Sequence, residues 1–268
     1  MPAALRPRPF LKWVGGKQAL ASALRAHFPA TFGRYYEPFL GGASVFFEVA
    51  PARAVLGDDN AWLLDTYAAV RDDWRAVAQR LDALDDTREA YLRHRATDPA
   101  TLAPADRAAL FIYLNKTGFR GLFRVNRHGR FNVPYGAYGR RTYDPDALQR
   151  AAEALRGAEL RPGDFARTLA DAGPGDFVYL DPPYHKLGGY ADFTRYTPGQ
   201  FREADQRRLA ALCAALATRD VRWALSNSDT PLVRELYAGF RVVELQARRE
   251  INLHASRRTV RELLILAP

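Results

Sequence analysis

Phe177-Val178-Tyr179-Leu180-Asp181-Pro182-Pro183-Tyr184 passes from a four-residue apolar run directly into an acid, two prolines and an aromatic. The apolar half reads as a short strand buried on both faces, the kind found in a parallel sheet covered by helices. An acid that follows such a strand stands at its carboxyl end, the edge of an open α/β sheet where ligands sit. Two prolines there stiffen the backbone and remove two N–H donors, leaving carbonyls and a carboxylate. The segment therefore accepts hydrogens, and Tyr184 sets a flat aromatic face beside the acceptors. A planar heterocycle with an exocyclic amino group suits such a site. Asp-Pro-Pro also reads as a plain strand stop, because proline ends strands and aspartate tolerates turns.

Outward from this segment the chain alternates strands and helices. Before it, the pattern predicts a helix over 17–28, a strand at Tyr35-Tyr36, a turn over 38–42, a helix into Val49 and a strand at Ala54-Val55-Leu56. Trp62, Leu63, Tyr67 and Val70 then have helical spacing. Several helices follow over 72–114, and residues 115–141 change to glycine, arginine and aromatics. There Leu122 to Val125 and Arg130 to Val133 flank Arg127-His128-Gly129 and predict a β-hairpin. After the opening segment, strands are expected over 221–225, 240–245 and 260–266, with helices near 200–217 and 231–237. The fold class expected is α/β with a doubly wound, mostly parallel sheet and an antiparallel edge. Three parts are expected: 1–71 and 145–268 as two halves of one α/β domain, and 72–144 as an inserted unit.

The 268 residues are 48% hydrophobic, enough for a sizeable core. The net charge of +9 favours a polyanionic partner, although nearly all of the basic residues are arginines, which compositional bias also produces. The only lysines, Lys12, Lys17, Lys116 and Lys186, all lie in or beside three segments, 10–17, 111–126 and 181–184. Cys213, the sole cysteine, excludes an intramolecular disulfide and sits in an apolar helical pattern, so thiolate catalysis is not expected. No apolar run approaches the roughly 20 residues of a membrane span. The start of the chain lacks a secretory apolar core, so a cytoplasmic location is expected.

Glu37-Pro38-Phe39-Leu40-Gly41-Gly42-Ala43-Ser44 lies between a strand and a helix, where small residues let the backbone approach a ligand. Asp58 ends the next strand, where an acid can take both hydroxyls of a ribose, or simply cap the following helix. Together they favour an adenosine-containing cofactor. With no phosphate-loop motif and no G-x-G-x-x-G, S-adenosylmethionine is the better candidate over ATP or a dinucleotide.

Phe10-Leu11-Lys12-Trp13-Val14-Gly15-Gly16-Lys17 resembles the amino-terminal cofactor motif of Dam-type, α-group DNA adenine-N6 methyltransferases. The glycine loop, Asp58-Asp59-Asn60 and Asp181-Pro182-Pro183-Tyr184 resemble that family's loop, ribose-binding strand end and catalytic tetrapeptide. The resemblance implies a Rossmann-like class I S-adenosylmethionine-dependent fold. It assigns cofactor contacts to Trp13, Lys17, Glu37, Phe39, Gly41, Asp58 and Asp181, and catalysis to Asp181, Pro182, Pro183 and Tyr184. Ala43 stands where the family often has a third glycine.

Residues 111–126 and Phe131-Asn132-Val133-Pro134-Tyr135-Gly136 resemble the family's target-recognition insert. A hairpin can enter the major groove, where Arg124 can grip guanine bidentately and Leu122 and Pro134 can pack on base edges. Phe119 can wedge into a stack left by an extruded base. The resemblance adds Lys12, Arg120 and Tyr138 to the DNA-binding set, with Arg140 and Arg141 on phosphates; Arg120 replaces the small amide common in the family. Phe123 and Phe131 are expected in a small core. Arg248-Arg249 and Arg257-Arg258, around Ile251-Asn252-Leu253-His254, form a basic loop that suits phosphate contact or a plain charged surface.

The implied activity is methyl transfer to adenine N6 in double-stranded DNA, with base flipping, a GATC target, and neither a covalent intermediate nor a metal. Alternatives are a restriction-modification adenine methylase with another site, or a methylase of cytosine N4, RNA or protein. No obligate protein partner is implied, and a monomer is expected.

Overall fold

The computed structural model describes residues 6–126, 129–139, 141–185, 201–248 and 259–268. In chain order the elements are α1 (Ala21–Arg25), β1 (Tyr35–Glu37), α2 (Ser44–Val49), β2 (Ala54–Asp58), α3 (Ala61–Asp82), α4 (Arg88–Arg95), α5 (Pro104–Thr117), α6 (Pro145–Leu155), β3 (Ala158–Pro162), α7 (Phe165–Thr168), β4 (Phe177–Leu180), α8 (Glu203–Thr218), β5 (Arg222–Ser228), α9 (Pro231–Leu236), β6 (Arg241–Arg248) and β7 (Thr259–Leu266). The sheet order is β3-β2-β1-β4-β5-β7-β6. Pairing is parallel from β3 to β5, and β7 runs antiparallel to both β5 and β6. From β1 the chain winds outward to β2 and β3, then crosses to the other side of β1 for β4 and β5. The switch point thus falls between β1 and β4, and there the carboxyl ends of the strands open a crevice. This is the fold of a class I S-adenosylmethionine-dependent methyltransferase.

Strand alternation sorts side chains into two cores. Tyr35, Leu56, Phe177, Tyr179 and Leu264 point to one face, while Tyr36, Val55, Val178, Leu180, Trp223 and Ile265 point to the other. The first core continues into α5 and takes in Phe123, Val125, Phe131 and Val133, so the inserted segment is packed on the sheet domain. Caps follow the sequence. Asn60 accepts from Leu63 N, Asp144 precedes Pro145, and Thr230 precedes Pro231. Asp73 breaks α3, with φ −152°, and accepts from Ala76 N, which gives the second half its own cap. Cys213 is fully buried, and burial raises its thiol far above the ordinary range. Among the described residues no helix is long and apolar enough to cross a membrane.

The structure refines the sequence reading at four places. Strand β3 carries Glu159, Arg161 and Pro162, so it shows no apolar run; it is an edge strand, where proline costs no ladder bond. The expected antiparallel edge is present, with β7 inserted between β5 and β6 and antiparallel to both. The first helix is only Ala21–Arg25, since Lys17 turns inward and the backbone ahead of the helix forms turns. The predicted hairpin is present in short form, as the antiparallel bridge Val125 to Phe131 with Asn126 N on Arg130 O and Asn132 N on Arg124 O. The Asn132 carbonyl, which a longer ladder would give to Arg124 N, accepts the Arg124 side chain instead, while Val133 O faces away from that limb and accepts Tyr91 and Arg95.

Gly57, inside β2, lets α7 approach the sheet. A Cβ there would lie 2.1 Å from Thr168 Oγ1 and 3.0 Å from Thr168 Cβ. We expect Gly57→Ala to destabilise the protein by about 2 kcal/mol in urea unfolding, and Thr168→Ala to recover part of that loss in the double variant. Simple addition of the two effects would contradict this packing.

Candidate active site

Three parallel strands deliver acids to one edge. Glu37 ends β1, Asp58 ends β2 and Asp181 follows β4. Glu37 is 2% exposed and accepts the Tyr35 hydroxyl at 2.6 Å. Burial pushes its carboxyl up to about 8 against the pull of that hydrogen bond, and the nearby Asp181 pushes the same way. Asp58 accepts Asn60 N and Gly41 N, each at 2.9 Å. Burial still raises it to about 6. Asp181 is also raised by burial, and Lys17 opposes the shift.

Lys17 is buried, with Nζ 3.0 Å from Asp181 Oδ1, 2.8 Å from Gly15 O and 4.8 Å above the Tyr184 ring. Beside it the glycine loop is shaped by Trp13. Gly41 has φ +47°, and a Cβ there would sit 2.6 Å from Trp13 Cδ1. Both the conformation and the ring demand glycine. Its carbonyl accepts the Tyr67 hydroxyl at 3.0 Å. Ala43, where a glycine was the family expectation, adopts the left-handed φ of 56° regardless, and so the loop path is kept. Phe39 is half-buried against Phe165 and Phe201. The residues fit a cofactor with a hydroxylated sugar and cationic groups: Gly41 leaves no room for a Cβ, and the acids Glu37, Asp58 and Asp181 line the same edge.

The tetrapeptide is braced by residues that sequence reasoning missed. Tyr184 donates its hydroxyl to Glu262 of β7 at 2.9 Å. Gln206 of α8 donates to Pro183 O at 2.8 Å, and Asn227 of β5 backs Gln206. Asn227 was accessible to the edge rule that picked out Asp58 and Asp181, since Ser226-Asn227-Ser228 ends a strand. Glu262 was not. It reaches this edge only because β7 runs backward and pairs Glu262 with Ser228.

The structure also gathers the sequence-predicted recognition residues. Asn115, fully buried, accepts Lys12 N at 2.9 Å and donates to Lys12 O at 2.8 Å and Gly121 O at 3.2 Å. Gly121 passes under the Lys12 stem, where a Cβ would meet Lys12 Cδ at 2.6 Å. Lys12 Nζ lies 5.6 Å over Tyr138, whose hydroxyl accepts Arg120 N at 2.5 Å. Arg120 has φ 58°, a conformation that small amides adopt with less strain, and its guanidinium lies 5.2 Å over the Phe119 ring. Phe119 is 45% exposed, a large apolar ring held out in solvent. Phe119 N donates to Pro134 O, which joins the two segments that resemble a recognition insert. Arg124 is held by Asn132, with Nε on its Oδ1 at 2.8 Å, and Leu122 is half-buried on the core. Arg141 stands apart, 3.7 Å from Asp82 and over Tyr143. Arg140, Lys186 and the turn at Arg127-His128 lie outside the described residues, as does most of the carboxyl-terminal basic loop. Phe123 and Phe131 are buried, as expected.

Residues 13–251 match the family described as D12 class N6 adenine-specific DNA methyltransferase. A type II methyltransferase of Lactococcus lactis, M1.LlaDCHI, is 35% identical over 260 residues, covering 94% of this chain and 92% of that protein. The DNA adenine methylase of Escherichia coli K12 is 36% identical over 266 residues, with 97% and 95% covered. That of Serratia marcescens is 37% identical, with 97% and 98% covered.

A buried carboxyl raised to about 8 binds a proton in the folded chain that the unfolded chain has released. Folding stability should therefore fall as pH rises from the ordinary glutamate range to about 8, by up to roughly 1.4 kcal/mol per unit. Glu37→Gln removes that slope and keeps an acceptor for Tyr35. Urea unfolding should find the variant's advantage over wild type growing between about pH 5 and pH 8; a constant difference would mean that Glu37 is ionised throughout.

Proposed function

The chain belongs to the D12 class of N6 adenine-specific DNA methyltransferases, and on that premise we propose that it methylates adenine in GATC sequences of double-stranded DNA, on a base flipped out of the helix. The observation that carries this reading is the junction of two arrangements. An acceptor tetrapeptide stands at the switch-point crevice, and a turn joined through Asn115 presents Lys12, Phe119, Leu122, Arg124 and Pro134 together.

Trp13, Lys17, Glu37, Phe39, Gly41, Asp58 and Asp181 would hold S-adenosylmethionine, which supplies the methyl group when bound. Asp58, already holding two backbone N–H groups, has lone pairs left for ribose hydroxyls. Asp181 and the Pro182 carbonyl accept the two hydrogens of the adenine amine. Its nitrogen is thereby oriented and made electron-rich without a covalent intermediate. Lys17 occupies one face of Tyr184, and the base stacks on the other. Flipping costs a few kcal/mol, offset by this stacking and by Phe119 in the vacated space. Arg124, pre-oriented by Asn132, reads guanine, and Leu122 and Pro134 contact base edges. Lys12, Arg120 and Tyr138 complete the base-side contacts, while Arg140 and Arg141 take phosphates. The net charge of +9 supports attraction to duplex DNA. The proposed setting is the cytoplasm, on the DNA, as a monomer.

Plasmid from cells expressing the protein should resist a nuclease blocked by methylated GATC, and hydrolysed DNA should contain N6-methyladenine. Complete cutting would refute the target, and label in cytosine, RNA or protein would refute the adenine reading. Asp181→Ala should lower turnover by about 10³-fold or more yet bind duplex DNA with near-normal affinity.

A further inference from the structure

A chain of buried amides ends on the catalytic tetrapeptide without touching the positions assigned to cofactor or base. Gln206 lies in the first turn of α8 and Asn227 near the end of β5; both are fully buried. The direction of every bond in the chain is fixed by the backbone. Asn227 Oδ1 accepts His185 N at 3.2 Å and Ser228 N at 2.8 Å, so the other end of that amide is the donor. Nδ2 then donates to Gln206 Oε1 at 3.1 Å, which leaves Gln206 Nε2 to donate to Pro183 O at 2.8 Å.

The two endpoints flank Tyr184. Pro183 has no N–H and a ring-locked φ, so the direction of its carbonyl is the main remaining backbone freedom between the acceptor pair and the aromatic ring. Gln206 fixes that carbonyl, Asn227 fixes the N–H of His185, and Glu262 fixes the Tyr184 hydroxyl. Ser228 and Thr230 add further bonds to the His185 carbonyl and ring. We propose that Gln206 and Asn227 are positioning residues for methyl transfer: a two-amide strut that sets the plane of the Pro183–Tyr184 peptide, and with it the stacking ring and the neighbouring Pro182 carbonyl. The proposal rests on the reading that this tetrapeptide receives the target amine.

The test measures kcat and KM for tritiated methyl transfer from S-adenosylmethionine to duplex DNA, with the full chain, from about pH 5.5 to about pH 8.5. Each variant is compared with wild type at the same pH, so the titration of Asp181 divides out. Gln206→Met keeps the volume and removes the bond. It should lose about tenfold in kcat at every pH, with KM for both substrates within about twofold. Gln206→Glu sets a carboxylate against the Pro183 carbonyl when ionised and restores a donor when protonated, and burial raises its titration range. Its loss should be about 10²-fold at the alkaline end and should shrink steadily as pH falls. A merely structural role would give both variants a flat ratio to wild type. A flat ratio for the glutamate variant, or wild-type kcat in the methionine variant, overturns the strut. Should the glutamate variant not fold, Asn227→Asp serves in its place, because it keeps both acceptor bonds and loses only the donor to Gln206. All ratios are taken on whichever amine the wild type methylates. Label on cytosine would therefore overturn the adenine reading and still leave the strut to be judged by its own ratios.

Discussion

Lys17 carries a buried ammonium to within 3.0 Å of Asp181 and over the Tyr184 ring, at the sheet edge where Glu37 and Asp58 end their strands. Burial raises the affinity of Glu37, Asp58 and Asp181 for protons, and neighbouring carboxylates add to it. A protonated Asp181 would donate where this chemistry needs an acceptor. Lys17 is the counterweight, and it acts on Asp181 directly. Its position explains the short first helix, because the backbone turns at Lys17 to send the side chain inward instead of continuing as helix. Lysine suits the place better than the arginine used nearly everywhere else, being a compact charge at the end of a thin stem.

A second constraint joins the crevice to the recognition turn. Trp13 lies against the glycine loop and stacks on Phe111 and Phe123 of the inserted segment. Lys12, its neighbour, is bonded through both backbone groups to Asn115, which also holds Gly121. Two adjacent residues thus serve opposite sides of the site, one facing the cradle and one facing the turn. Tyr91 and Arg95 of α4 fix the other limb of that turn through the Val133 carbonyl. These side-chain donors add to the backbone bonds across the turn, Asn126 N to Arg130 O and Asn132 N to Arg124 O.

Sequence patterns disclosed the parts of the molecule that repeat a local rule. The strand ends at Asp58 and Asp181 and the glycine loop stand out because acids and glycines there break an apolar or periodic pattern. The buried pair Phe123 and Phe131 was legible in the same way. What stayed hidden depends on distant register. Glu262 is one acid in an apolar strand, and although an antiparallel edge is expected there, nothing local fixes the register that brings it opposite Ser228. Gln206 sits on a helix like any exposed glutamine until α8 packs on the sheet and turns it to Pro183. The edge strand β3 was invisible because a strand on the rim need not be apolar throughout.

The arrangement around Asn115 has a consequence for how such proteins diversify. In the proposed reading the side chains directed at bases, Leu122, Arg124 and Pro134, are carried on a backbone whose path is held by other residues, namely Asn115, Gly121, Tyr91 and Arg95. Letters can therefore be exchanged on a frame that stays put, and a lineage can drift to new target words through substitutions at those positions alone. Lys12 is the exception. Its stem packs over Gly121, so a change at Lys12 also bears on the frame itself.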